Sequence, residues 1–520
     1  MQITSSLSSV FRWPCVLVAV ALTASAPGQS VTDGFDAPAA GTNCAALNNV
    51  AVFRSGNPAF VYDEYASAVA LSDDTVVVGA RADFKPYGAL HIYARSNGVW
   101  VFQQRLTPRV DLGAQFLGDP VAIDGDTIVA GMPESAQVFV REGGRWRFQQ
   151  VLLPDDAGPQ QYFGYSVAIR GEQIIVGAPA DNNVTGAAYV FERRAGNWEQ
   201  MAKLTASDPH TWDGFGWSVS LSGATAVVGT GRYNGVAGVG YVFTRADGVW
   251  SEQAILSVAG NRLFNGGITV SVSGDAAAIN YLGFPKAVSV FRRNGSTWRL
   301  EQTLKARSQI MEPGFGFAPV LRGDRLVVGS PGASLSVPST GVVRVFHYTG
   351  SQWVEEQLIA PAPGTAASLP SFGRVLAVNH TGVLAGAHGS FSGPDRSGAA
   401  FLFESDSTPP SIHSVTVTPP VLWPPNHRMV PVKITATASD NCGQTRCRIT
   451  SITSNEKPDK PATIDWQITG DLTANLRATR EGKGPGRIYA ITVECQDDVG
   501  NTSEAVVTVT VPHDNHPPKH

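Results

Sequence analysis

The stretch from Phe163 to Leu204, FGYSVAIRGEQIIVGAPADNNVTGAAYVFERRAGNWEQMAKL, comes back in recognisable form from Phe215 to Leu256. Looser copies bring the total to seven, with first strands starting near Tyr65, Leu117, Phe163, Phe215, Gly266, Phe315 and Phe372. A tryptophan marks six of them, at Trp100, Trp146, Trp198, Trp250, Trp298 and Trp353, so the period is roughly fifty residues. Within one copy YSVAI, QIIVGA, AAYVFER and WEQMAKL are short, β-branched or aromatic, and bounded by Gly, Asn or Asp. They read as four antiparallel strands, and four strands at this period are the signature of a propeller blade. The expected fold is therefore all-β, a seven-bladed β-propeller over residues 45–404. The second strands end on pairs such as Gly79-Ala80, Gly177-Ala178 and Gly329-Ser330, while the fifth copy, ending at Asn280-Tyr281, has lost both glycine landmarks.

The seventh copy stops after its third strand, AAFLFE, and the run NVAVFR within Leu47–Arg54 has no copy of its own. It is expected to supply the missing outer strand and so close the ring, which removes sheet edges that invite aggregation. The loops fix a polarity. First-to-second and third-to-fourth turns, such as Arg170-Gly171-Glu172 and Ala195-Gly196-Asn197, are short and fall on one face of the disc. Long connections, such as Ala180 to Gly186, Ser207 to Gly214 and Ala362 to Ser371, fall on the other. Long loops on a rigid scaffold are where binding residues gather, so that face is the expected recognition surface.

Phe163-Gly164 followed by Gly177-Ala178-Pro179, with Phe215-Gly216, Phe315-Gly316 and Gly329-Ser330-Pro331, resembles the FG-GAP repeat. That family includes the seven-bladed propeller of integrin alpha subunits and many exported bacterial proteins, and the likeness covers about Tyr65 to Glu404. It implies an adhesive or binding scaffold. Many members carry calcium between the first two strands, where the ion needs six to eight oxygen ligands. Here that place holds only tight turns, such as Asp124-Gly125-Asp126-Thr127, so no calcium site, no other metal and no cofactor is expected.

Past a linker at 405–411, seven alternating runs up to Pro512 suggest a small β-sandwich. The motifs Leu422-Trp423-Pro424-Pro425-Asn426-His427 and Asp440-Asn441-Cys442-Gly443 resemble Ig-like modules appended to bacterial surface proteins. Residues 513–520, with His513, Asp514, His516 and His520, read as a disordered tail. At the other end Arg12, the apolar run Val16–Ala24 and small residues at Ala24-Ser25-Ala26 read as a signal peptide within 1–30. That run is too short to span a bilayer, which needs about 20 apolar residues. An exported chain permits a disulfide, and Cys442, Cys447 and Cys495 are its candidates, with the pairing left open between Cys442–Cys447 and Cys447–Cys495.

A formal net charge of -4 leaves no basic footprint, so nucleic acid is not an expected partner. No nucleophile with its base, HExxH or GxSxG pattern marks an enzyme. Arg322-Gly323-Asp324 spells an integrin-ligand tripeptide but falls where the other copies make a hairpin. The binding candidates are Trp212 with Asp208, His210 and Asp213, beside a loop carrying Tyr233 and Asn234, since Trp and Tyr offer wide contact area with a polar edge. The expected function is an exported, monomeric, non-enzymatic binding protein for an extracellular protein or glycan, found extracellularly, at the cell surface or in the periplasm. The alternatives are a polysaccharide-acting enzyme with acids at the channel mouth, and a purely architectural component.

Overall fold

The computed structural model describes residues 47–54, 64–83, 87–96, 98–109, 117–158, 161–231, 238–257, 267–281, 287–305, 314–333, 341–361, 371–387, 398–406, 408–440, 444–457, 464–482, 486–497 and 500–513. The expected signal peptide, Cys44, Cys442, Tyr233, Asn234, Asp514, His516 and His520 lie outside them. Between residues 48 and 404 the chain builds seven four-stranded antiparallel sheets. Six are continuous in sequence, at 65–106, 121–152, 166–204, 218–256, 270–305 and 317–359. The last joins three strands of 372–404 to Asn48–Arg54, which pairs with Ala399–Glu404 from Asn48 opposite Glu404 to Arg54 opposite Ala399. First strands of successive sheets touch one another, and Phe372–Val378 returns to Tyr65–Leu71, so the contacts close into a cycle around a channel. The described chain is thus β-propeller in type.

Glycines set the spacing of neighbouring sheets. A Cβ on Gly79, Gly131, Gly177 or Gly329 would lie 1.9, 2.0, 2.0 or 1.9 Å from the carbonyl oxygen of Gly118, Gly164, Gly216 or Gly373 in the next sheet. Those partners themselves have φ of +103, +96, +94 and +81°, which only glycine adopts without strain. From the other side, a Cβ on Gly88, Gly186 or Gly341 would meet the carbonyl of Leu117, Phe215 or Phe372 at 2.1–2.2 Å. The landmark dipeptide is therefore a backbone wedge, held between two glycines of the preceding sheet. The fifth sheet lacks this glycine: Asn280 stands in its place, almost fully buried, and its side chain accepts a hydrogen bond from Thr269 N of the same sheet at 2.6 Å.

The outer strands carry a second tie that the sequence reading did not anticipate. Gln104 donates to Trp146 O and accepts from Trp146 N, at 2.8 and 3.0 Å, and its neighbour Gln103 accepts from Trp146 Nε1. Gln150 repeats this with Trp198, and Gln302 with Trp353. Gln357 closes the set on the Leu47 backbone at 2.8 Å in both directions. Arg141, Arg193 and Arg293 lie 5.4, 4.8 and 5.5 Å from the ring centres of Trp146, Trp198 and Trp298. Each also reaches a threonine hydroxyl of the preceding sheet, Thr75, Thr127 and Thr225. The blade tryptophans are buried packing residues, Trp250 less so than the rest.

Residues 411–512 fold as a four-stranded and a three-stranded sheet that share one core, including Val432, Ile434, Leu476, Tyr489, Ile491 and Val493. Cys447 stands opposite Cys495 on adjacent strands and the two are disulfide-bonded, which settles the open pairing between them. Arg487 is fully buried and reaches Asp465 at 2.6 Å and Glu456 at 3.2 Å. Burial alone would lower its pKa, but hydrogen bonds to Tyr489 and Asp465 outweigh that and hold it raised and charged.

Two stability measurements follow. Gly177→Ala should cost about 3 kcal/mol by forcing sheets apart, whereas Gly482→Ala, with open space around it, should stay within about 0.5 kcal/mol. Equal denaturation midpoints for the two variants would refute the wedge. Arg487→Met should lose about 3–5 kcal/mol by stranding two buried carboxylates, read as a guanidinium midpoint shift.

Candidate functional site

The loop bearing Trp212 is ordered by its own polar groups. Asp213 is buried, and its Oδ2 accepts from His210 N at 2.9 Å, while its carbonyl accepts from Gly231 N at 2.8 Å. Burial raises the Asp213 pKa, the neighbouring His210 moderates the rise, and the Asp208 charge adds to it. Asp208 accepts from the Tyr241 hydroxyl at 2.6 Å, and burial followed by that contact pushes the tyrosine pKa up. These groups therefore build the loop. Its product is Trp212, 63% exposed at φ +75°, a conformation that costs an indole residue on the order of 1–3 kcal/mol. The expected neighbours Tyr233 and Asn234 lie outside the described residues.

A constellation that the sequence reading missed lies at the same face, around the channel. The residue directly after each landmark glycine sits at the start of a channel-lining strand, and five of these are Asp119, Tyr165, Trp217, Phe317 and Arg374. Asp119, Tyr165 and Arg374 are exposed, Trp217 and Phe317 half-buried. Tyr165 and Trp217, from adjacent sheets, meet in a tilted pair with ring centres 4.8 Å apart and planes inclined by 46°. Trp217 is seated against Gly231 and Gly267, where any Cβ would meet the indole within 3 Å. Asp119 lies 3.3 Å from Arg81, which also pairs with Glu64. Both side chains reach the surface, yet the protein around them partly desolvates them; this raises the Asp119 pKa against the pull of Arg81 and Arg374 and, with the Asp119 charge, pushes Tyr165 to about 12. The signal was present in the repeat: at a register otherwise set by packing, this position alone alternates among acid, base and large aromatics.

Behind this face Asp83 anchors a long loop of the first sheet. Its backbone carbonyl accepts from Gly88 N, and its carboxylate meets His91 Nε2 at 3.0 Å and accepts from Arg105 Nε at 2.9 Å. Asp181 does the same in the third sheet with Lys203 at 2.8 Å. Residues 181–184 are a tight loop, with Asn182 and Asn183 at positive φ. Arg322-Gly323-Asp324 is a hairpin: Gly323 N donates to Ser273 Oγ, the Asp324 carbonyl accepts from Tyr348 N, and Arg322 lines the channel. In the C-terminal sheets carboxylate oxygens of Asp406, Asp440 and Asp497 lie within 4.8 Å of one another, a cluster that the reading of the sequence did not bring together. Asp497 accepts there from the amides of Gly500 and Asn501 and from the Asn501 side chain, so it fastens a turn.

The FG-GAP repeat model matches residues 146–191 and 198–243, each match running from one tryptophan strand through three strands of the next sheet. Comparison with curated proteins gives no match. Among solved structures, a Lactobacillus plantarum protein aligns at 14% identity over 57% of this chain and 85% of its own, with a TM-score of 0.41. A candidate 6-phosphogluconolactonase from Bacteroides uniformis aligns with the same identity, coverage and score. A chain of the mitotic checkpoint complex aligns at 13% identity over 75% of this chain and 98% of its own, at 0.43.

Burial on its own would raise the Asp83 pKa, but hydrogen bonds from His91 and Arg105 prevail and hold it at about 2. A depressed folded pKa gives stability that is complete above the ordinary carboxylate range near 3.9 and lost as pH falls toward 2. The protein should therefore lose about 2 kcal/mol from this group between pH 5 and pH 2. Asp83→Asn should be less stable at pH 7 and show a shallower acid slope in chemical denaturation. Parallel slopes would show that Asp83 carries no such linkage.

Proposed function

We propose that this is an exported, non-enzymatic binding protein: a seven-bladed propeller of the integrin-alpha-like type, followed by an Ig-like module that acts as a stalk or second adhesive unit. The reading of the long-loop face as the recognition surface rests on the Tyr165–Trp217 pair, with Asp119 on the preceding sheet and exposed Trp212 on a neighbouring loop. Adjacent aromatics offer wide apolar faces, and an acid near them supplies acceptors for hydroxyl groups. That is the chemistry of a sugar ring, so an extracellular glycan is the preferred partner and a protein the other outcome. A Cys447–Cys495 disulfide accords with an oxidising compartment, and no described helix is long and apolar enough to cross a membrane.

A second reading has one observation in its favour. The raised pKa of Asp119, with Glu64 across Arg81, is what a carboxyl acid acting on polysaccharide would require. The test is a glycan and protein array with the full chain, run beside Tyr165→Ala, Trp217→Ala and Trp212→Ala. Each of the first two variants should weaken glycan capture about tenfold or more, because losing one hot-spot aromatic commonly costs 2 kcal/mol. Undiminished capture by both would remove the proposed surface. Polysaccharide cleavage that Asp119→Asn abolishes would establish the enzyme instead.

A further inference from the structure

The other end of the channel holds a cavity of about 570 Å³, within the range of small-ligand pockets. It is enclosed by the last halves of the seven first strands, with Val69, Val121 and Ile169 in the wall and charged residues at the mouth. Those strands run from the long-loop face to the short-turn face, so this cavity opens opposite to the surface considered above. Two arginines enter it from the third and sixth sheets, across the ring from each other: Arg170 and Arg322.

Most charge at this mouth is already matched. Arg141 takes Asp74 at 2.8 Å and Asp126 at 2.6 Å. Asp124 accepts from Gly171 N at 2.5 Å and lies 3.3 Å from Arg170. Asp73, 72% exposed at its side chain, is 3.4 Å from His380. Arg322 is the exception. Its Nη2 lies 3.4 Å from His380 Nδ1, its Nε is sealed from solvent with no acceptor, and among the described residues it pairs with no carboxylate. Burial and then the charge of Arg170 depress its pKa, against Asp73 and Asp124, so the two guanidiniums sense each other across the channel. A half-buried guanidinium facing a like charge is a standing cost unless something neutralises it.

We propose that the short-turn mouth is an anion seat, in which Arg322 and Arg170 together hold one oxyanion of a small solute, a carboxylate or a phosphate. The planar fork of each guanidinium matches either group with paired N–H donors. Ser222 and Ser273 Oγ accept from the amides of Gly274 and Gly323 and tie sheet to sheet, and each hydroxyl keeps its own proton to donate beside the arginines. The volume admits a monosaccharide acid.

The test is calorimetric titration and thermal melting of the full-length protein with inorganic phosphate and with galacturonate, using galactose as the neutral control. At least one anion should bind saturably and raise the melting temperature, while galactose does neither. Arg322→Gln and Arg170→Gln should each weaken that binding about tenfold or more, and Arg322→Lys should recover part of it. Trp217→Ala should leave it unchanged, which separates this seat from the glycan surface at the other face. Melting of the unliganded variants shows whether they fold. Absence of binding by the folded wild-type protein to both anions would overturn the proposal. So would equal affinity in a folded Arg322→Gln variant, or competition for the seat by galactose.

Discussion

A backbone approach too close for any side chain, a glycine Cα of one sheet against the glycine carbonyl of the next, is what the rest of the propeller is hung on. At four junctions the room for even a methyl group is missing, since an added Cβ would come within 2.0 Å of that oxygen. Such contact fixes the distance between sheets, and distance fixes how many sheets close a circle. Burial then follows as a consequence. Phe163 and Phe215, directly before the wedging glycines, are fully buried and meet Tyr189 and Tyr241 at 5.5 and 5.3 Å. Apolar burial supplies most of the free energy, but it is not directional and would tolerate many spacings. Steric exclusion at glycine selects one.

This division explains what could be read in the chain. The repeat, its strands and the closing segment at Leu47–Arg54 were legible because glycine, tryptophan and β-branched residues recur at one register. The interlock of outer strands was not. Gln103-Gln104 and Gln149-Gln150 look like solvated polar pairs, and nothing local says that Gln104 will clasp the Trp146 backbone 42 residues on. Partners of that kind are set by how sheets are stacked, a geometry invisible to periodicity. The cluster Asp406, Asp440 and Asp497 escaped for the same reason, its members being drawn from three separate segments between strands.

At the candidate site Trp212 was legible as an aromatic among polar residues, and it is exposed; Asp213 and Asp208, read with it as binding residues, accept from the His210 amide and the Tyr241 hydroxyl and so also hold the loop. Short polar side chains near a bend satisfy backbone donors first, because an unpaired buried amide costs more than a surface contact returns. The residue that follows the wedging glycine has no fixed type: Asp119, Tyr165, Trp217 and Arg374 occupy it in different sheets of the same ring.

That freedom is unequal at the two ends of the channel. At the long-loop end side chains project from strand starts beside connections of variable length, which allows wide aromatics and a broad contact. At the short-turn end hairpins such as Arg322-Gly323-Asp324 are locked to their neighbours by serine and aspartate side chains, so only long side chains reach past them. Arginine is the residue that can do this while keeping its charge when partly buried. The recognition surface proposed at one mouth and the anion seat proposed at the other would therefore be two outcomes of a single asymmetry in the repeat, the difference in length between its even and its odd turns.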